Sequence, residues 1–262
     1  MVNSPTDAAL AQILQDSETF AHAAAITARK YFRCKNEIAF KDDESPVTVI
    51  DQMIERDLKC AIAAKYPNDG IFGEESGVEG DLDGNLWVID PIDGTRSFIS
   101  GNPLFGMLLA YLEKGSSVAG VISMPMLNEL YLGAKGHAAT CNGKEIRVSG
   151  QKDIDQCTLY INEGEKLLAQ HPKTLSRLLA AGTTRRFGYD CYPHALLAAG
   201  HIDAVVDYDL QPYDYLALTA VIEAAGGIMT DWNGSPLDLS SDGAVIAAAT
   251  PELHASLLSL VT

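Results

Sequence analysis

Leu86-Trp87-Val88-Ile89-Asp90-Pro91-Ile92-Asp93-Gly94-Thr95-Arg96-Ser97-Phe98 is the stretch on which the reading of this chain turns. The apolar run 86–89 has the length and composition of a buried strand, and it ends at Asp90. Two carboxylates three residues apart at a strand end are a poor core and a good grip on a hard cation. Mg²⁺ takes oxygen ligands in a tight octahedron, usually a few carboxylates with water and substrate phosphate. Pro91 is expected to stop the strand, because it lacks an N–H and fixes its own φ. Gly94 lets the backbone approach a ligand closely, and Thr95 adds a hydroxyl at an expected helix start, where free N–H groups favour an anion. A plain Asp-rich turn with an Asx cap is the competing reading. The remaining acidic clusters of the chain weigh against it.

Upstream, Ser4-Pro5-Thr6-Asp7 reads as a helix start, with apolar or small residues following at Leu10, Ile13, Leu14, Ala21, Ala24, Ala25, Ala28 and Phe32. After a polar loop, Lys41 to Pro46, a second helix is predicted from Val49 to Tyr66. Its apolar stripe is Ile50, Ile54, Leu58 and Ile62; Asp51 and Glu55 lie off it. Ile71-Phe72-Gly73-Glu74-Glu75-Ser76 is a short strand ending in acids.

Downstream, residues 105–148 alternate as strands, with turns at Lys114-Gly115-Ser116, Met126-Leu127-Asn128 and Cys141-Asn142-Gly143, which predicts an antiparallel meander. Beyond residue 150, helices are expected near 164–181, 191–200 and 213–225 and from Pro251, with strands at 204–206 and 244–248. The chain therefore divides into an N-terminal α+β half, residues 1–150, and a C-terminal α/β half, residues 151–262.

The chain has 262 residues, a formal charge of −16 and 47% hydrophobic residues, enough for a large core. Such acidity argues against a nucleic-acid surface, which needs Lys and Arg. Five cysteines, odd in number and without a C-x-x-C pair, suggest neither a disulfide framework nor a zinc site and fit a reducing cytosol, so the expected location is cytoplasmic. The first residues lack a basic segment followed by an apolar one, so no signal peptide is read, and no apolar run has the length of a membrane span.

Four acidic clusters stand at element ends: Asp51, Glu74 with Glu75, Asp90 with Asp93, and Asp214 in Gln211-Pro212-Tyr213-Asp214-Tyr215. With Thr95 they can ligate two or three Mg²⁺ ions, and two ions about 3.5–4 Å apart clamp the attacking and leaving oxygens of phosphoryl transfer. The six histidines are scattered and read as surface or packing residues.

Phe72-Gly73-Glu74-Glu75-Ser76, Trp87-Val88-Ile89-Asp90-Pro91-Ile92-Asp93-Gly94-Thr95, and Tyr213-Asp214 followed by Glu223-Ala224-Ala225-Gly226-Gly227 together resemble the inositol monophosphatase family of Mg²⁺-dependent, lithium-sensitive phosphatases. The resemblance covers nearly the whole chain. It implies a layered α-β-α-β-α sandwich of the inositol monophosphatase and fructose-1,6-bisphosphatase type. It places Glu74, Asp90, the Ile92 carbonyl and Thr95 on one metal, Asp90, Asp93 and Asp214 on a second, and Glu74 with waters on a third. It gives the phosphate to Asp93, Gly94 and Thr95, and makes Asp51, Glu74 and Thr95 the group that orients the attacking water. Millimolar lithium inhibition and a homodimer follow from the same resemblance.

Within that family, Gly188-Tyr189-Asp190-Cys191-Tyr192 and Pro212-Tyr213-Asp214-Tyr215-Leu216-Ala217-Leu218 look like the histidinol-phosphate phosphatases of histidine biosynthesis. Asp190 and Asp207 would pair with the amine and imidazole of such an ester by charge-assisted hydrogen bonds. Asp207 departs from the pattern, where Glu is usual. Asp190 as a cap for a helix starting at Cys191 is the competing role. Inositol, sugar and nucleotide phosphates are the alternative substrates. A partner role in transcription is the alternative of another class, since some bacterial members bind RNA polymerase or antitermination factors.

Overall fold

The structure, a computed structural model, describes residues 7–34, 38–40 and 46–261. In chain order its elements are α1 (Asp7–Tyr31), β1 (Ile38–Phe40), β2 (Pro46–Thr48), α2 (Val49–Lys65), β3 (Gly70–Gly73), β4 (Gly77–Glu79), β5 (Asn85–Asp93) and α3 (Thr95–Ser100). The meander follows as β6 (Gly106–Glu113), β7 (Ser116–Met124), β8 (Glu129–Ala134), β9 (Thr140–Cys141) and β10 (Lys144–Glu145). Then come β11 (Thr158–Ile161), α4 (Gly164–Gln170), α5 (Pro172–Ala180), β12 (Thr184–Phe187), α6 (Tyr192–Ala198), β13 (Ala204–Asp207), α7 (Pro212–Ala224), β14 (Ile228–Asp231), β15 (Val245–Ala248) and α8 (Pro251–Val261). The helix start at Ser4–Thr6 and the loop at 41–45 lie outside the described residues.

An eight-stranded sheet, ordered β10-β9-β8-β7-β6-β5-β3-β4, and a five-stranded sheet, ordered β12-β11-β13-β15-β14, make a layered α/β fold. Helices α1 and α2 cover one face of the large sheet with Leu10, Ile13, Ile50, Ile54, Leu58 and Ile62 inward. Helices α6 and α7 fill the space between the two sheets. Leu167, Leu175, Leu178, Leu253 and Leu257 of α4, α5 and α8 close the outer face of the small sheet. Helix α7 is buried on every side from Tyr215 to Ile222, as its unbroken apolar sequence requires of a helix held between two sheets. Trp87 is fully buried on β5, against Phe20, Tyr66 and Tyr111, and its indole N–H donates to Asp69 Oδ2 at 3.2 Å.

Several features differ from the sequence expectation, among them the short strands β1, β2 and β4, which the pattern did not announce. Pro91 does not end β5, which runs on to Asp93. The pairing of β5 with β6 steps from Asp90↔Leu108 to Asp93↔Gly106, so one extra residue sits on β5. A bulge is a place where a strand tolerates proline, because no ladder N–H is lost there. The expected helix over 164–181 is two helices, α4 and α5, broken at His171 by Pro172. Strands β11, β12 and β14 were not singled out by the sequence pattern. They are four residues each, and three of the four β12 residues are Thr or Arg. No described helix is long and apolar enough to cross a membrane.

Candidate active site

Strand side chains alternate in direction, so Asp90 and Asp93, three apart, would face opposite sides of a regular strand. The extra residue at Pro91–Ile92 resets the phase and turns both to one side. Ile92 N–H donates to Asp90 Oδ1 at 3.0 Å, which holds the bulge from within. Asp214 arrives from the first turn of α7, whose start is fixed by a capping box: Gln211 N–H donates to Asp214 Oδ2 at 2.6 Å. One carboxylate oxygen each from Asp90, Asp93 and Asp214 lie within 4.8 Å of one another.

Bringing these groups together without a cation is costly. Burial, and then the charges of Glu74, Asp93 and Asp214, push Asp90 well above the ordinary carboxylate range. Burial with the charges of Asp190 and Asp214 does the same to Asp93. Asp214 is raised to about 7, first by burial and partly by Glu74, against the Gln211 hydrogen bond. Among the described residues no Lys or Arg forms an ion pair with these three acids. Oxygen donors alone, crowded and short of positive charge, suit a hard divalent ion. The residues present therefore fit a metal.

Thr95 is fixed from behind. Its Oγ1 lies 3.1 Å from both Asp51 Oδ1 and Ile92 O, and its hydroxyl proton serves one of them at a time. Asp51 is fully buried, not on a solvated helix face as its place off the apolar stripe allowed. It closes a capping box at the start of α2, accepting the Thr48 N–H at 2.8 Å and the Thr48 hydroxyl. Burial raises its pKa, and the Thr48 bonds oppose that. Glu74 stands at the end of β3, with its N–H donated to Ile89 O of β5 at 3.1 Å.

Gly94 adopts φ 86°, ψ 47°, a left-handed conformation that glycine takes without penalty. The Asp190 carboxyl group lies directly over it, since a Cβ at Gly94 would fall 2.5 Å from Asp190 Cγ. Asp190 does not cap α6. That helix has Cys191 at its cap position with no side-chain cap bond, and Asp190 instead accepts from Ser97 Oγ at 2.5 Å. The Cys191 N–H goes to Asp93 Oδ2 at 2.5 Å, which ties the Asp190 turn to the acid cluster. Asp190 is raised to about 6 by burial, with Ser97 and the exposed Arg96 pulling the other way.

Asp207 lies deeper. It is 2% exposed and accepts Asn162 Nδ2 at 2.7 Å and the Tyr208 N–H at 2.9 Å. Burial lifts it to about 8. His194 is 3.9 Å away, but burial depresses it to about 3, so it is neutral there and is a packing residue. A cavity of about 130 Å³ adjoins the acid cluster, walled by six carboxylates, Asp93, Glu163, Asp190, Asp207, Asp209 and Asp214, and one cation, Lys166. Lys166 is already paired at 3.0 Å to both Glu163 and Asp209.

Asp90, Asp93 and Asp214 meet in one cluster, Thr95 joins Asp51, and Asp190 and Asp207 line the adjoining cavity, whereas Glu75 lines a separate one with Glu55 and Lys59. Sequence reasoning missed Ser97, Asn162, Glu55 and the part played by Thr48. The Thr48-x-x-Asp51 capping signature was legible in advance. Asn162 gives no local signal, because its partners Asp190 and Asp207 come from other elements.

The model of the inositol monophosphatase family matches residues 9–262. A curated relative, the histidinol-phosphatase of Chlorobaculum parvum, is 38% identical over 228 residues, covering 86% of this chain and 87% of its own. The chloroplastic bifunctional phosphatase IMPL2 of Arabidopsis thaliana is 38% identical over 262 residues, covering 97% and 76%. Among solved structures, an inositol monophosphatase from Zymomonas mobilis superposes with a TM-score of 0.87 at 36% identity, covering 97% of this chain and 98% of that one. The chain belongs to the inositol monophosphatase family and is a phosphatase that acts on phosphate monoesters.

Proposed function

We propose that this phosphatase prefers a small ester that is itself cationic, with histidinol phosphate as its substrate. The observation that carries this is the cavity beside the acid cluster. Its walls hold six carboxylates, and its single ammonium is spent on two of them. A neutral cyclitol gains little from such walls, whereas an amine or imidazolium gains charge-assisted hydrogen bonds. The 38% identical relative named a histidinol-phosphatase supports the same choice. Asp190 lies over Gly94 and, with Asp207, lines the cavity; in this reading Asp190 would meet the amine and Asp207 the imidazole.

The ion we assign is Mg²⁺, two or three per chain, which Glu74, Asp90, the Ile92 carbonyl, Asp93, Thr95 and Asp214 would hold. Such an ion, when bound, would supply an acidified water as the nucleophile. Thr95, steadied by Asp51 and Ile92 O, orients the attacking water together with Glu74. The backbone N–H groups of Gly94 and Thr95 would hold the phosphate for in-line displacement, with Asp93 acting on it through the metal. A homodimer is the assembly we propose. The small sheet ends in the exposed edge β12, whose last residue Phe187 is 50% exposed, with Tyr189, 55% exposed, just beyond it.

The second reading is an inositol or sugar phosphatase. It is favoured by Asp207, whose raised value of about 8 leaves it neutral at pH 7 and able to serve a hydroxyl. Phosphate release from histidinol phosphate, inositol 1-phosphate, fructose 1,6-bisphosphate and a nucleotide monophosphate, with Mg²⁺ or EDTA, separates the two. We expect a Mg²⁺-dependent kcat/KM for histidinol phosphate at least about tenfold above the neutral esters, from a net gain of about 1.5 kcal/mol or more per charged hydrogen bond. A flat profile, or one led by inositol phosphate, would overturn the preference.

Stability should report the ion as well. The raised acids bind protons in the native state that they release in the unfolded one. Metal-free stability therefore falls as pH rises from the ordinary carboxylate value of about 4 through the raised values. The Mg²⁺-induced rise in Tm should be larger at pH 8 than at pH 5.5. An excess of about a hundredfold over Kd adds about 2.7 kcal/mol, or about 5–10 °C for a chain of this size. Thermal scans with EDTA and with Mg²⁺ at both pH values check this, and an equal or absent shift would count against the site.

A further inference from the structure

Helix α2 carries a polar stripe beside the apolar one that it turns to the core. Asp51, Glu55 and Lys59 follow at one-turn intervals: Asp51 meets Thr95, while Glu55 and Lys59 line a neighbouring cavity with Glu75, Ser76 and Glu79. Asp51 holds Thr95. Lys59 Nζ donates to Ser76 Oγ at 2.7 Å and pairs with Glu79. Between them Glu55 is 2% exposed, and a carboxylate is rarely buried unless its oxygens are used.

Glu55 Oε2 accepts the Glu75 N–H at 2.8 Å. Its carboxyl group rests on the backbone of Gly73, where a Cβ would fall 2.4 Å from Glu55 Cδ and 2.6 Å from each oxygen. Gly73 is thus the residue that lets the carboxylate in. On the other side of the same short step, the Glu74 N–H is tied to Ile89 O of β5 at 3.1 Å. Glu74 is therefore held between two clamps, one from the sheet and one from α2. Both act on the backbone at and beside it, and so fix the direction in which its side chain leaves the chain.

We infer that Glu55 is a positioning residue that sets the Gly73–Glu75 turn, and through it the aim of Glu74 into the metal centre. This rests on the reading of Glu74 as a metal ligand. A charged acceptor suits the task, because a carboxylate holds a backbone N–H more firmly than an amide oxygen does. Residues that hold a ligand from behind typically change metal affinity by about ten- to a hundredfold when lost.

The test uses Mn²⁺ as the probe, its binding followed by the loss of the free-ion electron paramagnetic resonance signal, on the whole chain and on E55A, E55Q and E74Q. We expect E55A to weaken Mn²⁺ binding about tenfold and to raise the Mg²⁺ needed for half-maximal activity in proportion. KM for the ester at saturating Mg²⁺ should stay within about twofold, because the phosphate contacts are left in place. E55Q keeps an acceptor for the Glu75 N–H and should recover most of the affinity. Should E55A not fold, E55M, which fills the same space without an acceptor, is read in its place. Wild-type Mn²⁺ affinity in E55A or E55M, beside weakened binding in E74Q, would overturn the role of Glu55 alone. Wild-type affinity in E74Q would overturn the ligand assignment on which it rests, and the inference with it.

Discussion

Asp93→Asn should keep the fold and lose at least about 10³-fold in kcat, about 4 kcal/mol of barrier. The amide is nearly isosteric, and its oxygen can still accept the Cys191 N–H that Asp93 Oδ2 holds. What it removes is one anion from a cluster of three whose oxygens lie within 4.8 Å. Activity and metal-free stability should move in opposite directions. Asp93 is pushed far above the ordinary range by burial and by the charges of Asp190 and Asp214, so a neutral side chain relieves that repulsion. In EDTA the variant should be at least as stable as the parent, and the gain in Tm on adding Mg²⁺ should shrink. Steady-state rates over a Mg²⁺ series and paired thermal scans measure both. A near wild-type rate would refute the assignment of Asp93.

Asp190→Asn should cost about 30- to 150-fold in kcat/KM for histidinol phosphate, the equivalent of about 2–3 kcal/mol for one charged hydrogen bond. Inositol 1-phosphate should change by no more than about threefold, within the spread expected of a contact it does not use. Asparagine is the right substitute. Asp190 sits at φ 56°, which Asn tolerates and Ala does not, and the amide oxygen can still accept from Ser97. Were Asp190 only a brace for the turn over Gly94, Asn would preserve that brace and neither ester would suffer. An equal loss on both esters would mean that the change disturbs the phosphate end, and the cationic preference would then lose its main residue.

The fold was legible wherever a periodic pattern ran long. Helices α1 and α2 and the meander β6–β10 follow their stripes and turns, because burial of one face dictates them. The short strands of the small sheet were harder. Four residues such as Thr184-Arg185-Arg186-Phe187 carry no alternation strong enough to announce a strand, and β12 owes its form to pairing with β11. The bulge on β5 was not legible. Proline marks the interruption, yet whether the strand stops or steps over it is settled by β6 alongside.

The site shows the same division. Asp90, Asp93 and Asp214 stood out as acids at element ends, and Thr95 as a hydroxyl at a helix start. Asp51 was ambiguous, because off-stripe helix positions usually face water, and only the large sheet and α3 packed against that face make it buried. Glu55 shares that fate one turn later. Asn162 was invisible because it is defined by its partners on two other elements. A side chain whose task is to hold another is recognised only once both are in place.

Helix α7 has a consequence for the order in which the protein assembles. It carries Asp214 and is buried between the two sheets, while Asp90 and Asp93 lie far earlier in the chain. The three acids meet only when α7 docks, and such distant pairings close late because loop-closure entropy must be met first. A cation that needs all three has little to bind in the folding transition state. Interactions absent from that state act on the reverse reaction. The proposed Mg²⁺ would then be a lock on the finished molecule and no guide to its making: it should lengthen the lifetime of the native state and leave the refolding rate almost unchanged.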